Sequence, residues 1–319
     1  MSGENAAPES DALSGDEKAA ALVWGAVDLH CHSGPSLMRR RLDHIDELRE
    51  ASAAGFRAVV MKDHYYCTAP AARLIARHYP EQMTRMRGGI VLNNAVGGLN
   101  PYAVEHAIAQ GARIIWLPTF DAQNHIASQE NVPPEKAFPV RKSGALPFQP
   151  VPLFDGAGQV RDELKAICDM IAAHDLVLSA GHVHKDEAFR IFQEAQARGV
   201  RRFIMSHPEY ILGASKADIR DLARWGVTIE HSICMWFGGP DDRLYDSGDL
   251  VAFVEAGSIE HTIFGSDLGQ LRNCTPVEGF RRMALLLSDN GFSDGDIRRM
   301  LADNAIALLG ERALEPLVS

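Results

Sequence analysis

The chain has 319 residues, 46% of them hydrophobic, enough to bury one large core or two ordinary ones. Its formal net charge of −10, with Lys and Arg scattered and only Arg39-Arg40-Arg41 clustered, argues against a nucleic-acid partner. No apolar run approaches the ~20 residues of a membrane helix, and the five cysteines, odd in number and without a C-x-x-C pair, argue against a disulfide framework or zinc knuckle and for a reducing cytoplasm.

Residues 1–20 are acidic and rich in Ala, Ser and Gly, with no apolar stretch; they read as a disordered tail and not a signal peptide. The folded domain is expected over 21–319. From there short β-rich runs alternate with amphipathic segments. The strand-like runs are LVWGAVDL, RAVVM, GGIVLNN, ARIIWLP, LVLSA, RRFIMS, VTIEHSI and HTIFGS. Between them, segments such as DHIDELREASAAG, KDEAFRIFQEAQARG and SGDLVAFVEAG carry apolar residues at helical spacing, several closing on Gly. Eight such units predict parallel strands with right-handed crossovers and an α/β fold, the (β/α)8 barrel, which typically needs ~250 residues. No G-x-G-x-x-G turn follows the first strand to favour a doubly wound sheet. The connection after strand 4, about residues 120–160, is long and rich in Pro and Gly; on the C-terminal face of a barrel it reads as a lid-like insertion. Its PLFDGAGQV stretch reads as a small hairpin.

The histidines fall at strand ends. His30 and His32 close strand 1 with period two and share a side, while Cys31 points the other way. His182 follows strand 5, His207 strand 6 and Asp267 strand 8, with His184 a rival of His182. In a barrel all of these meet on one rim. Four imidazoles and a carboxylate suit a divalent metal, zinc first with manganese the alternative, as one or two ions.

With these residues in place, the sequence resembles the amidohydrolase superfamily of metal-dependent barrels. In that family an H-x-H follows strand 1, single histidines follow strands 5 and 6, and an Asp follows strand 8. The positions here are His30, His32, His182, His207 and Asp267, and the closing RRMLADNAIALLG is similar to the family's helical tail. Two features depart from it. Many members carry a carboxylated Lys after strand 4, absent from IIWLPTFDAQ; Lys62 and His64, on one face at the end of strand 2, are the alternatives for a second metal or for polarising substrate. Ser33 and Gly34 follow His32, which speaks against the H-x-H-x-R of dihydroorotase-like members.

The resemblance implies hydrolysis of an amide, cyclic amide, lactone or ester of a small molecule. Asp267 takes a proton from water, and His207 or His64 stabilises the developing oxyanion. The alternative is a single-metal decarboxylase or hydratase, with Arg39, Arg40 or Arg41 holding an acidic substrate. A TatD-like nuclease and a non-catalytic ligand-binding barrel are further readings. Arg39, Glu230 and Trp236 are candidate substrate contacts, and Phe237, Phe148 and Phe154 suggest a partly apolar pocket. Pairing into a homo-oligomer is left open.

Overall fold

The computed structural model describes residues 14–130, 149–239, 243–310 and 314. Eight strands pair in parallel and in chain order: β1 (Val27–Cys31), β2 (Ala58–Met61), β3 (Arg85–Val91), β4 (Ile114–Trp116), β5 (Val177–Ser179), β6 (Arg202–Ser206), β7 (Thr228–Ser232) and β8 (Thr262–Gly265). Helices α2 (His44–Ala53), α3 (Ala69–His78), α4 (Pro101–Ala109), α6 (Asp162–Ala173), α7 (Lys185–Ala197), α8 (Lys216–Trp225) and α10 (Ser247–Gly257) carry the crossovers. The expected (β/α)8 barrel is therefore the observed fold. Local chemistry starts several of these helices. Asp43 with Asp46, Ser215 with Asp218 and Asp246 with Asp249 each form a reciprocal cap in which the first residue's side chain accepts a backbone N–H and the third helical residue answers.

Strand alternation sorts the apolar residues into two cores. Val59, Met61, Ile115, Leu117, Phe203 and Met205 face the helices, while Ala58, Val60, Ile114, Trp116 and Ile204 fill the barrel interior. Helix α13 (Asn304–Leu309) plugs the N-terminal end with Ala305, Leu308 and Leu309, which join that inner core. Asn304 Nδ2 donates to Ile259 O and Thr262 O at 2.7 and 2.8 Å, fixing the start of β8 on the plug. Arg202 closes the same end: Nη1 donates to Ala307 O and Leu308 O, while Nε and Nη2 donate to Asp175 at 3.0 and 2.8 Å. The apolar floor leaves the polar residues of the strands to the opposite, C-terminal rim.

The chain departs from expectation at its start. Residues 15–20 are not a disordered tail but belong to α1 (Gly15–Val23), capped reciprocally by Ser14 and Glu17. Ala19, Leu22 and Val23 are buried, and α1 packs against α11 (Pro276–Asp289) and α12 (Asp294–Arg298). The run LVWGAVDL is thus helix end and strand start rather than one strand. In the long connection after β4, helix α5 (Gln123–Gln129) and an antiparallel Phe154–Val160 bridge, the expected hairpin, frame the part between them. Residues 131–148, with the centre of the lid-like insertion and Phe148, lie outside the described residues.

The Arg202 bond holds the Asp175 carboxyl down to about 2 from 3.8, so its contribution is present above the ordinary value and fades as pH falls through about 2. Asp175→Asn, at a half-exposed site, is expected to cost about 0.5–1 kcal/mol at neutral pH. Thermal melts should show the gap to the unmodified protein closing between about pH 4 and pH 2.

Candidate metal centre

The site begins with an irregularity in β1. Asp28 pairs with Val59 and Cys31 with Met61, so β1 takes three steps where β2 takes two. This bulge reverses the alternation: Val27 and Leu29 lie in the inner core, Cys31 falls among the outer residues, and His30 and His32 turn inward. Asp28 Oδ1 holds the bulge by accepting from His30 N and from Ser266 N, both at 2.9 Å. The second bond ties β1 to the end of β8, and Asp267 N donates to His30 O at 2.7 Å.

The Nε2 atoms of His30 and His32 then meet one carboxylate oxygen, Asp267 Oδ1, at 3.3 and 3.1 Å. Each ring is oriented through its other nitrogen. His30 Nδ1–H donates to Glu230 Oε1 at 2.5 Å, and His32 Nδ1–H donates to Lys62 O at 2.9 Å. Gly265 leaves room for the first pair, since a Cβ there would lie 2.8 Å from Glu230 Cδ and 2.9 Å from His30 Cβ. Lys62 Nζ donates to His30 Nε2 at 2.9 Å, over the face of Trp116.

Above this group opens a cavity, lined among others by His32, Arg40, Lys62, His64, Phe120, His125, His182, His207 and Asp267. His64 stacks on His32 with ring centres 4.9 Å apart, and its Nδ1 bonds to Thr119 Oγ1 at 2.8 Å. His182 lies 5.1 Å from His207, ring to ring. Gly181 lets His182 reach this position: at φ +58°, a Cβ there would lie 2.2 Å from Leu117 O. His207 and Asp267 themselves adopt positive φ, 38° and 47°, a strained conformation for residues with a side chain.

These residues suit a divalent ion. His30, His32 and Asp267 offer ligand atoms all within 4.8 Å of one another. Burial pushes His30 and His32 down to about 3 and His207 to about 4, so each is a neutral imidazole at ordinary pH, the form that ligates. Burial alone would raise Asp267, but at the low pH where His30, His32 and His207 take up protons they outweigh it, so the carboxyl lies well below its usual range. His207 Nδ1 is buried without a hydrogen-bond partner, which suits a metal ligand. Protonated Lys62 is no ligand; it competes for His30 Nε2, and its charge, opposed by burial, is favoured by Asp267 and Glu230.

The rim thus brings together His30, His32, Lys62, His64, His182, His207 and Asp267, all named from sequence. His184 does not join them; it caps α7, 40% exposed, beside Asp186. Three substrate-contact candidates are corrected. Arg39 points to solvent, and it is Arg40 that enters the cavity. Glu230 turns to His30 instead of the cavity. Trp236 lies in a single helical turn, α9 (Cys234–Phe237), which sends it into the core against Tyr245 and Phe253, its indole N–H donating to Asp246 O; Cys234 and Met235 line the cavity instead. Phe154 and Phe237 are not among the lining residues. His125 escaped the sequence reading. It stacks on His182 at 4.9 Å with Nδ1 atoms 3.0 Å apart, and its one sequence signal was its place in the connection after β4.

A family model described as a family of unknown function, DUF6282, matches residues 25–230, a span that contains His30, His32, His64, His182 and His207 and stops short of Asp267. No curated protein matches the chain. Among solved structures, an amidohydrolase from Pseudomonas aeruginosa is similar at TM-score 0.61 and 11% identity, covering 95% of this chain and 99% of its own. The probable dipeptidase PvdM from Pseudomonas aeruginosa is similar at TM-score 0.61 and 11% identity, over 93% and 98% of the two chains. A 2,6-dihydroxybenzoate decarboxylase from Rhizobium is similar at TM-score 0.51 and 11% identity, over 90% and 98%. These likenesses extend over nine-tenths or more of each chain and show a shared fold.

Because Glu230 fixes the ring and tautomer of His30, Glu230→Gln is expected to weaken the binding of a divalent ion at this site roughly 10–100-fold. Competition against a chromophoric chelator reads this directly. Unchanged affinity would remove Glu230 from the metal centre.

Proposed function

The chain belongs to the DUF6282 family of unknown function, and from its rim we propose a metal-dependent hydrolase of the amidohydrolase type. The observation that carries this reading is the meeting of His30 and His32 Nε2 on Asp267 Oδ1 beneath an open cavity. The substrate is proposed to be a small molecule with an amide, cyclic amide, lactone or ester bond, in keeping with a cavity that sets a few polar groups against an apolar wall. With all five cysteines free, the cytoplasm is the proposed site of action.

His30, His32, His182, His207 and Asp267 would hold the ion or ions, zinc or manganese. When bound, a divalent ion polarises a carbonyl and lowers the pKa of water towards ~7. Asp267, whose carboxyl lies well below its usual range, accepts a proton at Oδ1 and returns it to the leaving group. His64 faces the cavity with Nδ1 held by Thr119, leaving Nε2–H to donate to a developing oxyanion. Lys62 balances the negative charge of Asp267 and Glu230. In a two-ion version Lys62, carboxylated at Nζ, would itself be a ligand.

A second reading, a single-metal decarboxylase or hydratase, draws on two observations. No lysine follows β4, where the chain reads Leu117-Pro118-Thr119-Phe120. Among the described residues, the compact ligand group is His30, His32 and Asp267 alone.

His30→Ala and Asp267→Asn are each expected to cut turnover roughly 10²–10⁴-fold with an unchanged circular dichroism spectrum. The assay is a panel of small amides, lactones, esters and carboxylic acids. Elemental analysis of protein purified without added metal divides the two chemistries: near two ions per chain favours the hydrolase, near one the lyase. Full activity in either mutant would sink both.

A further inference from the structure

We propose that Arg40 is the carboxylate-binding residue of the cavity, and that the substrate is a carboxylic acid with an apolar body. The inference rests on the reading of this cavity as the active site.

The first loop places Arg40 and its neighbours differently. Arg40 forms an antiparallel bridge with Gln270 in the loop after β8. Arg41 N donates to Gly269 O, and Arg41 Nη1 donates to Asn273 O at 2.9 Å. Clamped on both sides, the loop leaves Arg39 in solvent and sends Arg40 inward, its side chain only 4% exposed. Arg40 lines the cavity, and its Nε and Nη2 are buried with no hydrogen-bond partner. The nearest anion, Asp63 Oδ2, is 3.9 Å from Nη2, beyond hydrogen-bond reach, and Asp63 Oδ1 is taken by Tyr65 N–H.

A permanently charged, buried guanidinium with empty donors is costly to keep, and its planar fork matches a carboxylate with two parallel bonds. Met38, Phe120, Tyr210, Ile211, Met235 and Leu244 line the same cavity, giving the acid's body an apolar wall. Arg40 is also close enough to His32, His64 and Asp267 to interact with each electrostatically, so an anion held there lies beside the reacting rim.

The test is calorimetric binding of C4–C8 aliphatic and arylalkyl monocarboxylates, each paired with its primary amide, to the metal-loaded full chain. The unmodified protein is expected to bind at least one acid about tenfold or more tighter than its amide. Arg40→Met should weaken that acid ~10–100-fold and leave the amide within a few-fold, with Arg40→Lys between them. Equal binding of acid and amide in the unmodified protein, or no acid bound at all, would overturn the proposal, and neither comparison depends on a variant folding. An acid bound as tightly by Arg40→Met would also overturn it, assigning the carboxylate to the ion and leaving the metal reading intact. Metal content measured on the same samples separates the two ideas: protein that takes up no ion yet prefers the acid through Arg40 supports Arg40 and tells against the metal centre.

Discussion

The extra residue in β1 is the constraint on which the rim depends. Counting alternately from Val27 and Leu29, both inner-core residues, would turn His30 and His32 out towards the helices. The bulge after Asp28 reverses this, and the Asp28 carboxylate stabilises it by taking the His30 amide. The same oxygen takes the Ser266 amide across the seam between β8 and β1. One buried group thereby aligns the two strand ends that supply His30, His32 and Asp267. Its burial is costly: desolvation raises the Asp28 carboxyl to about 6, and Oδ2 has no partner. Such a cost is tolerable where the group fixes a site's geometry rather than adding to a core.

Charge balance governs what the rim can hold. Burial makes the imidazoles neutral, so they present lone pairs instead of repelling one another. Asp267 carries negative charge, and Lys62 and Arg40 are the cations beside it. Lys62 already has His30 Nε2, Asp267 and Glu230 for company, whereas Arg40 has a distant Asp63 and empty donors. The two cations therefore differ in kind. One is absorbed into the metal-type group, and the other faces the space where a ligand would lie.

Much of this was legible in the sequence because it is periodic. Strand and helix periods and their alternation are enough to read the barrel, and strand ends in a barrel share a rim, so His182, His207 and Asp267 could be gathered without knowing any distance. Lys62 and His64 followed from period two continued past β2. The failures occur where no period operates. In the first loop, three consecutive arginines differ only by which one the Gln270 bridge turns inward, a contact 230 residues away in sequence from Arg40. Trp236 and Met235 sit on a single helical turn whose orientation depends on packing against Phe253 and Tyr245. His125 lies in a connection with no repeat to count from. Helix α1 was obscured by composition, since an acidic Ala- and Ser-rich stretch resembles a tail until its cap and its buried Leu22 and Val23 are seen against the barrel.

The backbone at the rim follows the same logic as the bulge. Non-glycine residues avoid positive φ, which costs of order 1 kcal/mol or more, yet both His207 and Asp267 adopt it at the ends of β6 and β8. In each case the amide is already committed to the neighbouring strand: His207 N donates to Glu230 O and Asp267 N to His30 O, both at 2.7 Å. Those bonds extend the barrel's pairing one step past its regular strands, and the left-handed turn that follows leaves each side chain in the cavity. The opposition is therefore local, between one residue's preference and a hydrogen bond the barrel needs. The apolar floor of Ala305, Leu308 and Leu309 at the far end makes the bond win, because a barrel packed and plugged below cannot open its upper seam to relieve two dihedral angles.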